Sequence, residues 1–229
     1  ETPLPGAIET LLELEKRGSN IAFFTNNSSR TQKFFADKIS NMGYPCKPEQ
    51  VMTSAVLAAK KVASLTDSAF VVGEEGIYEA LSEHGIRTDS PNSNAVVCGI
   101  DRNFTYEKLS DALQVLLKPE SHFIATNADK TYPLEGGKLI PGAGSLVASL
   151  EAASGRTATV CGKPNPDGIF AILEQYNVAP SDTLVVGDRI DTDILSGQCA
   201  KCDVHLVLTG VTLTAPEGIS ASTDITSLV

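Results

Sequence analysis

The 229-residue chain carries 28 acidic against 18 basic side chains, a formal net charge of −10 at pH 7. That balance argues against a nucleic-acid binder, which presents a basic face, and no apolar run approaches the roughly 20 residues of a membrane span. With 42% hydrophobic residues there is enough apolar material for a real core, in one large domain or two small ones.

In chain order, Ile8, Leu11, Leu12 and Glu15 follow helical spacing, with Gly18 placed to end the helix. "IAFF" is a strand leading into "TNNSSRT", and Phe35, Ile39 and Met42 share one face of a helix that precedes Gly43. "VMTSAVLAAKKV" reads as a short helix with Thr53 or Ser54 as N-cap. A second run opens near Asp67: strand "AFVV", helix "EEGIYEALSEHG", strand "AVVCG", a helix on Leu109, Ala112, Leu113 and Leu116, strand "HFIAT" and helix "PGAGSLVASLEAASG". The last third repeats the rhythm with strand "TATV", a helix on Ile169, Ile172, Leu173 and Tyr176, strand "TLVVG", a helix opened by acidic residues, and strand "HLVLTG". The tail from Thr212 is weakly patterned. Such alternation predicts an α/β fold with mainly parallel sheets. No low-complexity linker divides the chain, so a second domain is expected as an insertion into the first.

In open parallel sheets, ligands collect outside the carboxyl ends of the strands. Thr25-Asn26-Asn27 follows "IAFF", Lys163 follows "TATV" and Asp188 follows "LVVG"; if those strands share one sheet, a hydroxyl, an ammonium and a carboxylate converge. Such parts suit phosphoryl transfer, which needs positioning and charge stabilisation. Thr25 and the Asn26 N–H would meet phosphoryl oxygens, Lys163 would offset their charge, Asp188 would hold Mg2+, and Asp193 would act from behind the metal's waters. Asp191 is expected to face solvent or cap the helix. Taken alone, Asp188, Asp191 and Asp193 fit a helix N-terminus as well as a cation. The five Cys, an odd and scattered set that includes a lone Cys199-x-x-Cys202, suggest reduced thiols and a cytoplasmic setting. His84, His122 and His205 lack ligand spacing.

The order of these segments resembles the haloacid dehalogenase (HAD) superfamily. "FFTNNSSRT", "ATNADKTYPLEGG", "CGKPNPDGIF" and "VVGDRIDTDI" are similar to its NagD-like branch of para-nitrophenylphosphatase, phosphoglycolate and pyridoxal phosphate phosphatases. The resemblance covers nearly the whole chain. It implies a Rossmann-like HAD core with a mainly parallel sheet, residues 1–66 and 156–229, and an inserted α/β cap of the C2 type, residues 67–155. It implies Thr25, Lys163, Asp188 and Asp193 as catalytic residues, Asp188 as the metal ligand, and Asn26 and Asn27 at the substrate, with Asn127 and Asp129 as weaker candidates in the cap. The reaction it implies is Mg2+-dependent hydrolysis of small phosphorylated metabolites through an aspartyl-phosphate. Neither nucleic acid nor membrane is an expected partner, and homodimerisation through the cap is an option. The family's nucleophile motif, D-x-D-G, occurs nowhere in the sequence, and the chain begins at Glu1 rather than Met. The expectation is that a further N-terminal segment exists and that residues 1–229 alone are inactive. The alternative is a non-catalytic phospholigand-binding or regulatory protein on the same fold.

Overall fold

A computed structural model describes residues 2–88, 92–134 and 137–229, so Glu1 lies outside the described residues. The elements begin with α1 (Ala7–Lys16), β1 (Phe23–Thr25), α2 (Gln32–Asn41), β2 (Val51–Thr53) and α3 (Ser54–Ala63). Next come β3 (Ser68–Val72), α4 (Glu75–Glu83), β4 (Arg87–Thr88), β5 (Ala95–Cys98), α5 (Tyr106–Leu116) and β6 (His122–Ala125). They continue through β7 (Thr131–Pro133), β8 (Leu139–Pro141), α6 (Ala143–Ser154), β9 (Thr159–Val160) and α7 (Asp167–Tyr176). The chain closes with β10 (Leu184–Gly187), a π-helical turn at Ile190–Ile194, α8 (Leu195–Cys199), β11 (Asp203–Val207) and β12 (Ala221–Ser222). Gly155 ends α6 as expected, in the left-handed conformation at φ 69°.

The chain forms two units. One comprises Glu1–Phe24, Lys33–Met52 and Lys163–Val229; the other comprises Thr25–Gln32 and Thr53–Gly162. The larger sheet lies in the second unit and is wholly parallel, in the order β4-β3-β5-β6-β9. Phe70 and Val72, Val96 and Cys98, and Phe123 and Ala125 point from successive strands into a core completed by Ala112, Val115 and Leu116 of α5 and Val147 and Leu150 of α6. Ala69, Val71, Val97 and Ile124, which alternate with them, are buried as well. A parallel sheet covered on both faces needs apolar residues at every position, which is why these strands read as continuous apolar runs. Each such Val, Leu or Phe contributes about 1.5–3 kcal/mol by leaving water.

In the first unit β10, β11 and β12 form a parallel sheet with Leu184 opposite Asp203 and Leu206 opposite Ala221. Ile169 and Leu173 of α7 pack with Ala200, Cys202, Phe24 and Val185. The His205 imidazole bridges Ser220 and Ser222, 2.8 Å from each hydroxyl. Because Ser222 donates its own proton to the Asp224 carbonyl, it accepts from His205 Nε2–H.

The structure differs from the sequence reading in several places. Val51–Thr53 is a strand rather than the start of the helix, while Thr53, one of the two expected N-caps, accepts the Val56 N–H at 3.3 Å and opens α3. β9 pairs with β6, Ile124 opposite Thr159, so it is the edge of the five-stranded sheet. Among the described residues, the strands that lead to Asn26, Lys163 and Asp188 therefore do not share one sheet: β1 pairs with β2, β9 with β6, and β10 with β11. The antiparallel hairpin of β7 and β8, with Tyr132 opposite Ile140, was not expected at all.

Candidate active site

In the first unit, β10 delivers Asp188 from its carboxyl end. The carboxylate Oδ2 accepts the Val211 N–H at 2.7 Å, and the Asp188 carbonyl accepts the Thr212 N–H at 3.1 Å. The loop after β11 thus wraps this residue so closely that a Cβ on Gly210 would collide with the carboxylate. The π-helical turn then doubles back and brings Asp193 against Gly187, where again a Cβ would collide. Asp193 Oδ2 accepts the Arg189 N–H at 3.1 Å, and Oδ1 takes Lys163 Nζ at 2.7 Å. Lys163 also donates to the Phe24 carbonyl at 2.9 Å, and its ammonium lies 5.0 Å from the Phe24 ring centroid. With 15% and 11% of their side chains exposed, Lys163 and Asp193 form a mostly desolvated pair. Asp191 points outward, paired with Arg189 at 2.9 Å, and that hydrogen bond holds its carboxyl below the ordinary carboxylate range.

In the second unit, the segment after β1 is held by its own side chains. Thr25 Oγ1 accepts the Asn27 N–H at 3.1 Å, while Asn27 Oδ1 accepts from Ser29 N–H at 3.0 Å and Ser29 Oγ at 2.7 Å, an Asx turn. Asn26 Nδ2 donates to Asp129 Oδ2 at 3.2 Å, and the Asn26 carbonyl accepts from Asn127 Nδ2 and Ser54 Oγ, both at 2.7 Å. Asn127 Oδ1 in turn accepts the Asp129 N–H at 3.1 Å. The structure therefore gathers Thr25, Asn26, Asn27, Asn127 and Asp129 in one network, and Lys163 with Asp193 in another.

Sequence reasoning missed Ser54, Tyr132, Arg102 and Glu74. Ser54 was visible only as a cap candidate. Tyr132 accepts from Asn27 Nδ2 at 3.5 Å, and Arg102 lies over its ring with Cζ 5.8 Å from the centroid. Nothing in the spacing of Glu74, Arg102 and Tyr132 signals that they meet.

A metal finds one open donor here. Among the described residues Asp188 Oδ1 accepts no hydrogen bond, and no three His, Cys, Asp or Glu side chains cluster. A single carboxylate oxygen suits Mg2+, which keeps much of its hydration shell, better than it suits a metal that needs a full protein cage.

The fold is that of its structural neighbours among the HAD-type phosphatases. The family model described as haloacid dehalogenase-like hydrolase matches residues 1–87, and the one described as HAD-hydrolase-like matches residues 160–225. The 5'-nucleotidase YutF of Bacillus subtilis is 39% identical over 208 residues, covering 90% of this chain and 80% of that protein. NagD from Escherichia coli superimposes with a TM-score of 0.86 at 30% identity, over 96% of this chain and 88% of its own. The glycerol phosphate phosphatase Rv1692 from Mycobacterium tuberculosis, in complex with magnesium, gives 0.89 at 31% identity, over 99% of this chain and 71% of its own. The chain belongs to the haloacid dehalogenase-like hydrolases, in their NagD-like phosphatase branch.

Proposed function

We propose that the protein hydrolyses phosphate monoesters of small metabolites in a Mg2+-dependent reaction. The observation that carries this reading is the 2.7 Å pair between Lys163 Nζ and Asp193 Oδ1, which ties the segment after β9 to the turn after β10. An ammonium held in place before substrate arrives costs no reorganisation when negative charge shifts in the transition state. Asp193 keeps it pointed, and Phe24 supplies the second anchor. Thr25 Oγ and the Asn26 N–H offer donors to phosphoryl oxygens. Asp188 would hold Mg2+ through Oδ1, where the metal supplies charge neutralisation at the phosphoryl group. Asn127 and Asp129, fixed to Asn26 and to each other, would border the leaving group.

The family's phosphoryl acceptor is the first Asp of D-x-D-G, a tetrapeptide not found within residues 1–229. The test uses the full-length protein. No observation favours a non-catalytic role over this one, and the magnesium complex of a related phosphatase supports the choice of metal. Turnover of p-nitrophenyl phosphate should vanish in EDTA and return with excess Mg2+. A rate indifferent to chelation would refute the metal's part, and no turnover with Mg2+ present would refute the phosphatase reading.

A further inference from the structure

We infer that Ser54 is a positioning residue, which aims the Thr25 hydroxyl at the phosphoryl group by fixing the peptide unit between Asn26 and Asn27. The inference rests on the phosphatase reading above and concerns a fully buried hydroxyl that has no direct part in it.

A trans peptide unit is planar, with its carbonyl and its N–H pointing to opposite sides. In the Asn26–Asn27 unit the carbonyl accepts from Ser54 Oγ and Asn127 Nδ2, both at 2.7 Å. The N–H of the same unit donates to Thr25 Oγ1 at 3.1 Å. Both lone pairs of the carbonyl and the proton of the N–H are thus engaged, and the plane cannot tilt without straining these bonds. Because Thr25 Oγ1 accepts on that side, its own proton must point elsewhere. Among the described residues the Thr25 hydroxyl donates to no partner, and Thr25 is half-buried rather than closed off. Its proton is left for a phosphoryl oxygen. Donors on the Asn26 carbonyl also polarise the amide, which strengthens the Asn27 N–H as a donor and, through it, the Thr25 hydroxyl.

Ser54 has no competing duty. It opens α3, yet the cap of that helix is Thr53, whose hydroxyl accepts the Val56 N–H at 3.3 Å. Among the described residues Ser54 Oγ makes only the bond to Asn26. A buried hydroxyl needs a partner, and this one gives its proton to the loop after β1 rather than to its own helix. Asn127 divides its duty: its amide also donates to Thr126 Oγ1 at 3.3 Å, and its Oδ1 accepts the Asp129 N–H at 3.1 Å. Ser54 is therefore the member of the network whose removal loosens the Asn26–Asn27 unit and little else. The Asn26 carbonyl keeps Asn127 when the Ser54 hydroxyl is gone, so no buried acceptor is left bare. Thr25, Asn26, Asn27, Ser54 and Asn127 all lie in the second unit.

The test is a double-mutant cycle in the full-length protein, read as kcat/KM for p-nitrophenyl phosphate with Mg2+ present. Ser54→Ala should lower kcat/KM roughly 5- to 10-fold. In a Thr25→Ala background, where the hydroxyl to be aimed is absent, the same change should cost less than about 2-fold. A merely structural Ser54 would cost the same in both backgrounds. Ser54→Cys, which keeps the volume of the side chain with only a weak donor, should lose roughly 3-fold and carries the same comparison if Ser54→Ala does not fold. A parental kcat/KM in Ser54→Ala, or an equal loss with and without the Thr25 hydroxyl, would overturn the inference. In either case turnover by the parent leaves the phosphatase reading standing; a parent without turnover ends both.

Discussion

Lys163 stands in three electrostatic relations at once, to the Phe24 carbonyl, the Asp193 carboxylate and the Phe24 ring. Each arrangement is bought with burial, since an ammonium taken out of water must recover its hydration from fixed partners. Lys163→Ala in the complete protein should therefore act twice. In the proposed reaction Lys163 offsets the charge of the transferring phosphoryl group, so its removal should lower kcat by roughly 100-fold or more. Asp193 would be left as a mostly buried carboxylate without its counter-ion, a loss of about 3 kcal/mol in stability. Steady-state kinetics and denaturant unfolding of the same preparation separate the two effects. An unchanged kcat with lowered stability would reduce Lys163 to a structural residue. At this scale the sequence offered the chemistry but not the geometry. Lys163 and Asp193 stand 30 positions apart, Glu74 and Arg102 stand 28 apart, and no local pattern announces either meeting.

Secondary-structure elements were legible where burial is uniform. "AFVV" and "AVVC" announce strands because both faces of their sheet are covered. The hairpin of β7 and β8 was not legible, because three-residue strands bearing Pro133 and Pro141 lack both alternation and length. The partner of β9 was equally hidden, since two residues of strand carry no record of which sheet accepts them. β2 escaped because Val51-Met52 continues the apolar spacing of α3, and only the cap at Thr53 breaks the helix there. That cap supplies a measurable prediction. Thr53 is 1% exposed and its hydroxyl accepts the Val56 N–H, so Thr53→Ala should cost about 1 kcal/mol. The urea midpoint should fall with an unchanged m-value. Thr105→Ala removes a similar cap from α5, 3.2 Å from the Lys108 N–H. Equal stability of Thr53→Ala and the parent would mean that the strand-to-helix turn is held by packing alone.

Across the whole molecule, charge sets how stability responds to pH. The excess of ten negative charges at pH 7 repels itself, so moderate acidification should at first raise the melting temperature. Paired carboxylates then work the other way. Arg17 and Lys16 hold Glu13 below its ordinary value, Arg87 does so for Asp67, Arg189 for Asp191, and Thr226 for Asp224. A carboxyl depressed on folding contributes stability that is full above its unfolded value and disappears as pH falls through its folded value. Glu79 has the opposite sign: partial desolvation, with Glu83 and Glu75 nearby, raises it, so its ionised form costs stability that protonation relieves. The four depressed groups titrate below the ordinary values of 3.8 and 4.5, whereas Glu79 and the global repulsion respond above them. The melting temperature should thus pass through a maximum near pH 5 and decline, gently, below about pH 4. Because the Glu13, Asp67 and Asp191 pairs are exposed, each is weak and screened by salt. Added salt should therefore raise the melting temperature at pH 8, where repulsion dominates, and lower or leave it near pH 5. Scanning calorimetry across pH 3 to 8 at two ionic strengths checks the sign of both effects, and a melting temperature that climbs steadily from pH 3 to pH 8 would contradict the first.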